Sequence, residues 1–143
     1  MSQTLNISEG ASIAMHALIY LAKNRDEPVS NSTIAAAFNV SANHSSKIMQ
    51  RLLKEGFVSG VRGPGGGYTL AKEPSQVSLL DIYSAIDGEP SNNHCLFGRV
   101  KCCPLDRCLF ADLISDTEKL VKKHLGSVTL TDCIATETAL EKK

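Results

Sequence analysis

The stretch SANHSSKIMQRLLKEG, Ser41 to Gly56, decides the fold. Ser41 is a strong helix N-cap and Gly56 a C-terminal stop. Between them Ser45, Ile48, Met49, Leu52 and Leu53 recur at helical spacing and predict a buried face. Asn43, His44, Ser46, Lys47, Gln50, Arg51 and Lys54 are left on the opposite side. A helix with amides, an imidazole and cations on one face suits the DNA major groove, where such groups pair with base edges and neutralise phosphates.

The residues on either side agree with that reading. Upstream, Ser30 caps a second predicted helix with Ile34, Ala35 and Phe38 on one face, and Asn39 tolerates the left-handed backbone of a tight turn. Helix, short turn and second capped helix make a helix-turn-helix. Downstream, Phe57–Arg62 and Tyr68–Ala71 are β-prone runs around Gly63-Pro64-Gly65-Gly66-Gly67, which predicts a hairpin, the wing. The N-terminal part of the recognition helix enters the groove, so Asn43, His44 and Lys47 are expected at the bases and Gln50 and Arg51 at the backbone. Arg62 stands at the hairpin base, where a guanidinium can enter a narrow minor groove. Gly65 and Gly66 let bare backbone approach phosphates, and Tyr68 is expected to brace the other strand.

Further out, Ala14, Ala17, Leu18, Leu21 and Ala22 predict a first helix over about Ser8–Lys23 that buries one face, ended by Asp26-Glu27-Pro28. Ser78 with Asp81 forms a capping box for a helix with an apolar stripe of Leu79, Ile82, Tyr83 and Ile86. Residues 88 to about 104 lack periodicity and read as an exposed loop. From about Leu105 to Leu125, Phe110, Leu113, Ile114, Thr117, Leu120, Val121 and His124 follow helical spacing up to Gly126, a length that suggests subunit pairing. Thr129 with Asp132 caps a final short helix with Leu130, Cys133 and Ile134 inward. His16 and His124 are read as core or interface residues rather than ligands. The fold class is mainly α with a small β-hairpin wing: a winged helix-turn-helix domain over 1–75, a linking helix and cysteine-rich loop over 76–104, and a dimerisation helix plus short helix over 105–143.

The 143 residues are 43% hydrophobic, enough for an ordinary core. No secretion signal or membrane span is read, so a cytoplasmic protein is expected. Net charge is zero, yet residues 1–75 carry +2 and residues 76–143 carry −2, so the basic bias lies in the half read as DNA-binding. An enzyme is disfavoured: there is no Cys-x-x-Cys motif, nucleotide loop or defined carboxylate pair. A protein-binding winged helix is the other rival, distinguished by salt dependence of duplex binding. Five cysteines, four within Cys95–Cys108, argue against a disulfide framework and for metal or redox chemistry. Zinc is a minor option, since Cys102 and Cys103 are too close for easy tetrahedral chelation. Cys133 is read as core.

The run Arg62-Gly63-Pro64-Gly65-Gly66-Gly67-Tyr68, followed by Val77-Ser78-Leu79-Leu80-Asp81-Ile82, closely resembles the bacterial IscR, NsrR and CymR family of regulators. The resemblance extends over nearly the whole chain, to Leu52–Val58 and the closing Thr129-Leu130-Thr131-Asp132. It implies a homodimer on a near-palindromic double-stranded DNA operator, with half-sites about one helical turn apart. Ser45-Ser46 replaces a Leu-Glu pair of the recognition helix, so the operator does not carry over. In the family's cluster-binding branch, three cysteines spaced much like Cys95, Cys102 and Cys108 hold an iron–sulfur cluster (2Fe-2S or 4Fe-4S). Here the first gap is one residue longer, and Ala111 stands where that branch has a histidine. His94, Ser12 and Glu9 leave the fourth ligand open. A thiol switch and structural cysteines remain alternatives. The expectation is a sequence-specific transcription regulator, read as a repressor, responding to redox, iron–sulfur or nitric oxide status.

Overall fold

The computed structural model describes residues 7–90 and 110–141. The order is α1 (Glu9–Lys23), α2 (Asn31–Ala37), α3 (Ala42–Lys54), β1 (Val58–Val61), β2 (Gly67–Leu70), a 3-10 turn (Pro74–Gln76), α4 (Leu79–Asp87), α5 (Ala111–Ser127) and α6 (Leu130–Glu141). This is the mainly α, hairpin-winged architecture that the sequence predicts. The starts of α1, α2, α3 and α4 lie at side-chain caps, from Ser8, Ser30, Ser41 and Ser78, each accepting a backbone N–H of the first turn. Thr129 and Asp132 form the reciprocal pair before α6. The Asp132 carboxylate accepts from the Thr129 backbone N–H and also from its hydroxyl, and these two bonds, the backbone one first, hold the carboxyl below the usual carboxylate range.

Helix α1 departs from its predicted one-sided burial. Ala11, Ile13, Ala14, Met15, Ala17, Leu18, Ile19, Leu21 and Ala22 are all buried, because α3, α4, α6 and β2 surround it. The alanines let these elements approach closely, so α1 is the centre of the core rather than its lid. Around it gather Ile34, Met49, Leu52, Phe57, Val77, Ile82 and Leu130, with Cys133 and Ile134 partly buried against them. His16 is exposed in the single chain and so is not a core residue of it; its Nδ1 lies 2.8 Å from the Ser12 carbonyl oxygen. His124 is exposed as well. Burial pushes the Cys133 thiol up, reinforced by the nearby Asp132 and Glu137 carboxylates, which suits a packed thiol rather than a nucleophile.

Two further findings revise the sequence reading. Gly126 does not end α5, which runs on to Ser127; it faces α4, where a Cβ would meet Leu80 Cδ2 at 3.5 Å, an ordinary contact. Helix α6 extends over 12 residues and is not short. Segments of the chain also meet at a bridge between Ser78 and Thr129, where Leu79 N–H donates to Val128 O (2.9 Å) and Leu130 N–H to Val77 O (3.0 Å).

Ser45 is fully buried, and its hydroxyl has no hydrogen-bond partner among the described residues. A buried hydroxyl without a partner carries its desolvation penalty uncompensated. Ser45→Ala is therefore expected to stabilise the fold by about 1 kcal/mol, read as a higher urea midpoint at unchanged slope.

Candidate nucleic-acid interface

Asn39 holds φ +52°, the left-handed turn expected of it, and Val40 N–H donates to Ala35 O at 3.0 Å. Asn31 Nδ2 donates to Ala42 O at 2.9 Å and ties the start of α2 to the start of α3. Ser41 Oγ accepts from His44 N–H at 3.1 Å. With α3 thus fixed at its N-terminus, Asn43, Lys47 and Gln50 form one exposed row, and His44 and Ser46 are half-buried beside it. Ser45, Ile48, Met49 and Leu52 point inward as predicted.

Leu53 is the exception on that face: it is 37% exposed. Its neighbour across the hairpin is Gly60, which has no side chain to cover it; even an added Cβ would stand 4.0 Å from Leu53 Cδ1. The gap becomes a groove of about 530 Å³ between α3 and the hairpin. Gln50, Arg62, Gly66 and Tyr68 line it, so four of the residues singled out in the sequence meet in one place. Asn43, His44 and Lys47 stand further toward the N-terminus of α3.

The hairpin pairs Gly60 with Tyr68 and Val61 with Gly67. Tyr68 is held from its other side too: its N–H donates to Val29 O at 2.8 Å, and its carbonyl accepts from Val29 N–H at 2.9 Å. Gln50 Nε2 then donates to Tyr68 Oη at 3.3 Å. Tyr68 therefore braces the wing against the recognition helix rather than merely against the opposite strand. A bidentate pair, Arg25 to Glu73 at 2.9 and 3.1 Å, ties the loop after α1 to the exit of the hairpin. Arg62 is exposed at the hairpin base.

The glycines divide by role. Gly65 has φ +73° and open space around it, as a backbone approach to phosphate requires. Gly66 serves the turn itself: its N–H donates to Gly63 O at 2.9 Å, and a Cβ would stand 2.8 Å from that oxygen. Gly67, not singled out in the sequence, faces the Val29 backbone at a distance no side chain fits. Only the bridge to Val29, 38 positions earlier, reveals that demand. Arg51 turns away from this groove, with Nε donating to Ala85 O in α4 at 2.9 Å. Cys95, Cys102, Cys103 and Cys108, with His94, lie outside the described residues.

Comparison with known proteins agrees with the geometry. The model of the Rrf2 family, described as iron-dependent transcriptional regulators, matches residues 7–136. The HTH-type transcriptional regulator IscR of Xenorhabdus nematophila is 31% identical over 129 residues, 90% of this chain and 78% of that one. IscR of Photorhabdus laumondii is 32% identical over the same shares. Among solved structures, CymR, the global cysteine regulator of B. subtilis, superposes with a TM-score of 0.77 at 28% identity, covering 93% of this chain and 98% of its own. IscR of T. potens gives 0.74 at 25% identity, covering 94% and 89%. These relatives are transcription regulators and not enzymes, and among the described residues no helix is long and apolar enough to cross a membrane. With its winged helix-turn-helix and a family match over most of its length, the chain belongs to the Rrf2 family of DNA-binding transcriptional regulators.

Proposed function

We propose that the protein is a cytoplasmic homodimer that represses transcription from a near-palindromic operator and responds to redox, iron–sulfur or nitric oxide status. The supporting observation is the groove shared by α3 and the wing, whose lining residues Gln50 and Tyr68 are joined by a hydrogen bond. It lets one rigid unit engage the major groove with α3 and the neighbouring minor groove with the hairpin. In this reading residues 1–75 hold DNA, 76–104 sense and 105–143 pair the subunits. Asn43, His44 and Lys47 meet base edges, while Gln50, Arg62, Gly65 and Tyr68 follow the backbone and minor groove.

Duplexes selected from a random pool supply the operator. Affinity for it is expected to fall steeply with rising salt as condensed counterions are released. Asn43→Ala should lose the preference for one base pair in each half-site, at about tenfold in affinity, because amide contacts to bases discriminate by about 1–3 kcal/mol. Binding that selects no sequence would return the chain to the protein-interaction reading.

For the sensor, the thiols of Cys95, Cys102 and Cys108 fit an iron–sulfur cluster in kind, since thiolates are its ordinary ligands. When bound, such a cluster supplies one-electron redox chemistry and reactivity toward nitric oxide. Protein purified without oxygen is expected to be coloured and to contain iron and sulfide, and Cys102→Ala to lose both. Colourless, iron-free protein under those conditions would favour the thiol-switch reading.

A further inference from the structure

Arg51 sits in the third turn of α3, in a row of polar residues that the sequence assigns to DNA. One nitrogen of its guanidinium, however, is engaged within the fold. Nε donates to the carbonyl oxygen of Ala85, 34 positions away, at 2.9 Å, and the Glu55 carboxylate lies 3.7 Å from the same nitrogen.

The acceptor belongs to the last turn of α4, whose final carbonyls have no partner within the helix. Gly88 N–H takes the carbonyl of Ser84, and Arg51 takes that of Ala85. A cation there also meets the negative end of the α4 dipole. The same helix end holds a second strap: the Asp87 carboxylate accepts from both the backbone N–H and the hydroxyl of Ser8, the cap of α1. The end of α4 thus fastens α3 through Arg51 and α1 through Asp87. On its other side α4 carries α5, seated against Leu80 at Gly126.

We propose that Arg51 is a positioning residue that fixes the angle of the recognition helix relative to α4 and α5, and so sets the half-site spacing that the dimer accepts. It does so from within the fold, without contacting phosphate. The inference rests on the reading of α5 as the pairing helix. Neighbouring base pairs are about 3.4 Å apart along the duplex, so a recognition helix free to swing reads shifted half-sites almost as well as correct ones.

The test uses the full-length dimer and the selected operator, with half-sites at the natural separation or moved by one base pair, over a series of salt concentrations. Arg51→Met removes every donor; Arg51→Lys keeps the charge but replaces the Nε–H donor by a methylene. Both are expected to bind the natural operator about tenfold more weakly, the scale of one charge-assisted hydrogen bond. Both should also distinguish natural from shifted spacing much less than the parent does, with the slope of log affinity against log salt unchanged. A phosphate contact gives the opposite pattern. Arg51→Met would then lower the slope by about one for each arginine removed, Arg51→Lys would behave as the parent, and spacing discrimination would survive; that outcome overturns the proposal. If Arg51→Met does not fold, Arg51→Lys alone decides between the two patterns. A parent protein that selects no duplex overturns the DNA reading first, and one that selects single half-sites as a monomer overturns the pairing reading; both are distinct from a failure at Arg51.

Discussion

Gly67→Ala is expected to destabilise the protein by more than about 3 kcal/mol, in the range reserved for substitutions that break backbone geometry. The added methyl group would occupy the space of the Val29 carbonyl and stand 2.8 Å from Ser30 N. Both are main-chain atoms, so no rotamer change relieves the clash. Relief requires the hairpin to part from residue 29, which breaks the two hydrogen bonds between Val29 and Tyr68. Tyr68 would then lose the support that aims its hydroxyl at Gln50. Gly65→Ala is the control: φ is +73° but the space is open, so only the left-handed backbone is penalised, by about 1–2 kcal/mol. Urea unfolding of both variants checks the difference. Equal losses at the two positions would show that the Val29 bridge does not hold the wing.

The second large effect concerns subunit pairing. Leu113 and Leu120, one heptad apart on α5, are 56% and 66% exposed in the single chain. Large leucines left open on one face of a helix mark a face that another surface covers. Burying a leucine fully is worth about 1.5–3 kcal/mol, and a two-fold axis would bring four of these side chains together. Leu113→Glu with Leu120→Glu should therefore leave a folded monomer, seen by sedimentation at micromolar concentration. Its affinity for the full operator should drop by more than about 100-fold, since two linked half-site contacts become independent events. Because both positions are exposed within the protomer, helix content by circular dichroism should hardly change. A variant that still sediments as a dimer would remove α5 from the interface.

Local chemistry by itself determined the element starts and turns of this chain. Ser8, Ser30, Ser41, Ser78 and Thr129 each satisfy donors a few positions away, and Asn39 and Gly56 adopt left-handed backbone where the sequence asks for it. The polar row of α3 and the glycine hairpin were legible for the same reason: periodicity and turn preference act within a few residues. The identity of each covering neighbour was decided only by the tertiary structure. Periodicity says that Leu53 lies on the apolar side of α3, but the absence of a side chain at Gly60 leaves it open. Composition marks Arg51 as a cation on a polar face, but a carbonyl 34 positions later claims it. Gly126 looks like a helix stop, yet α5 continues past it against α4, and Gly67 looks like a spare turn residue until Val29 arrives beside it. Each depends on groups brought together by the folded chain, and spacing along the sequence carries no record of them.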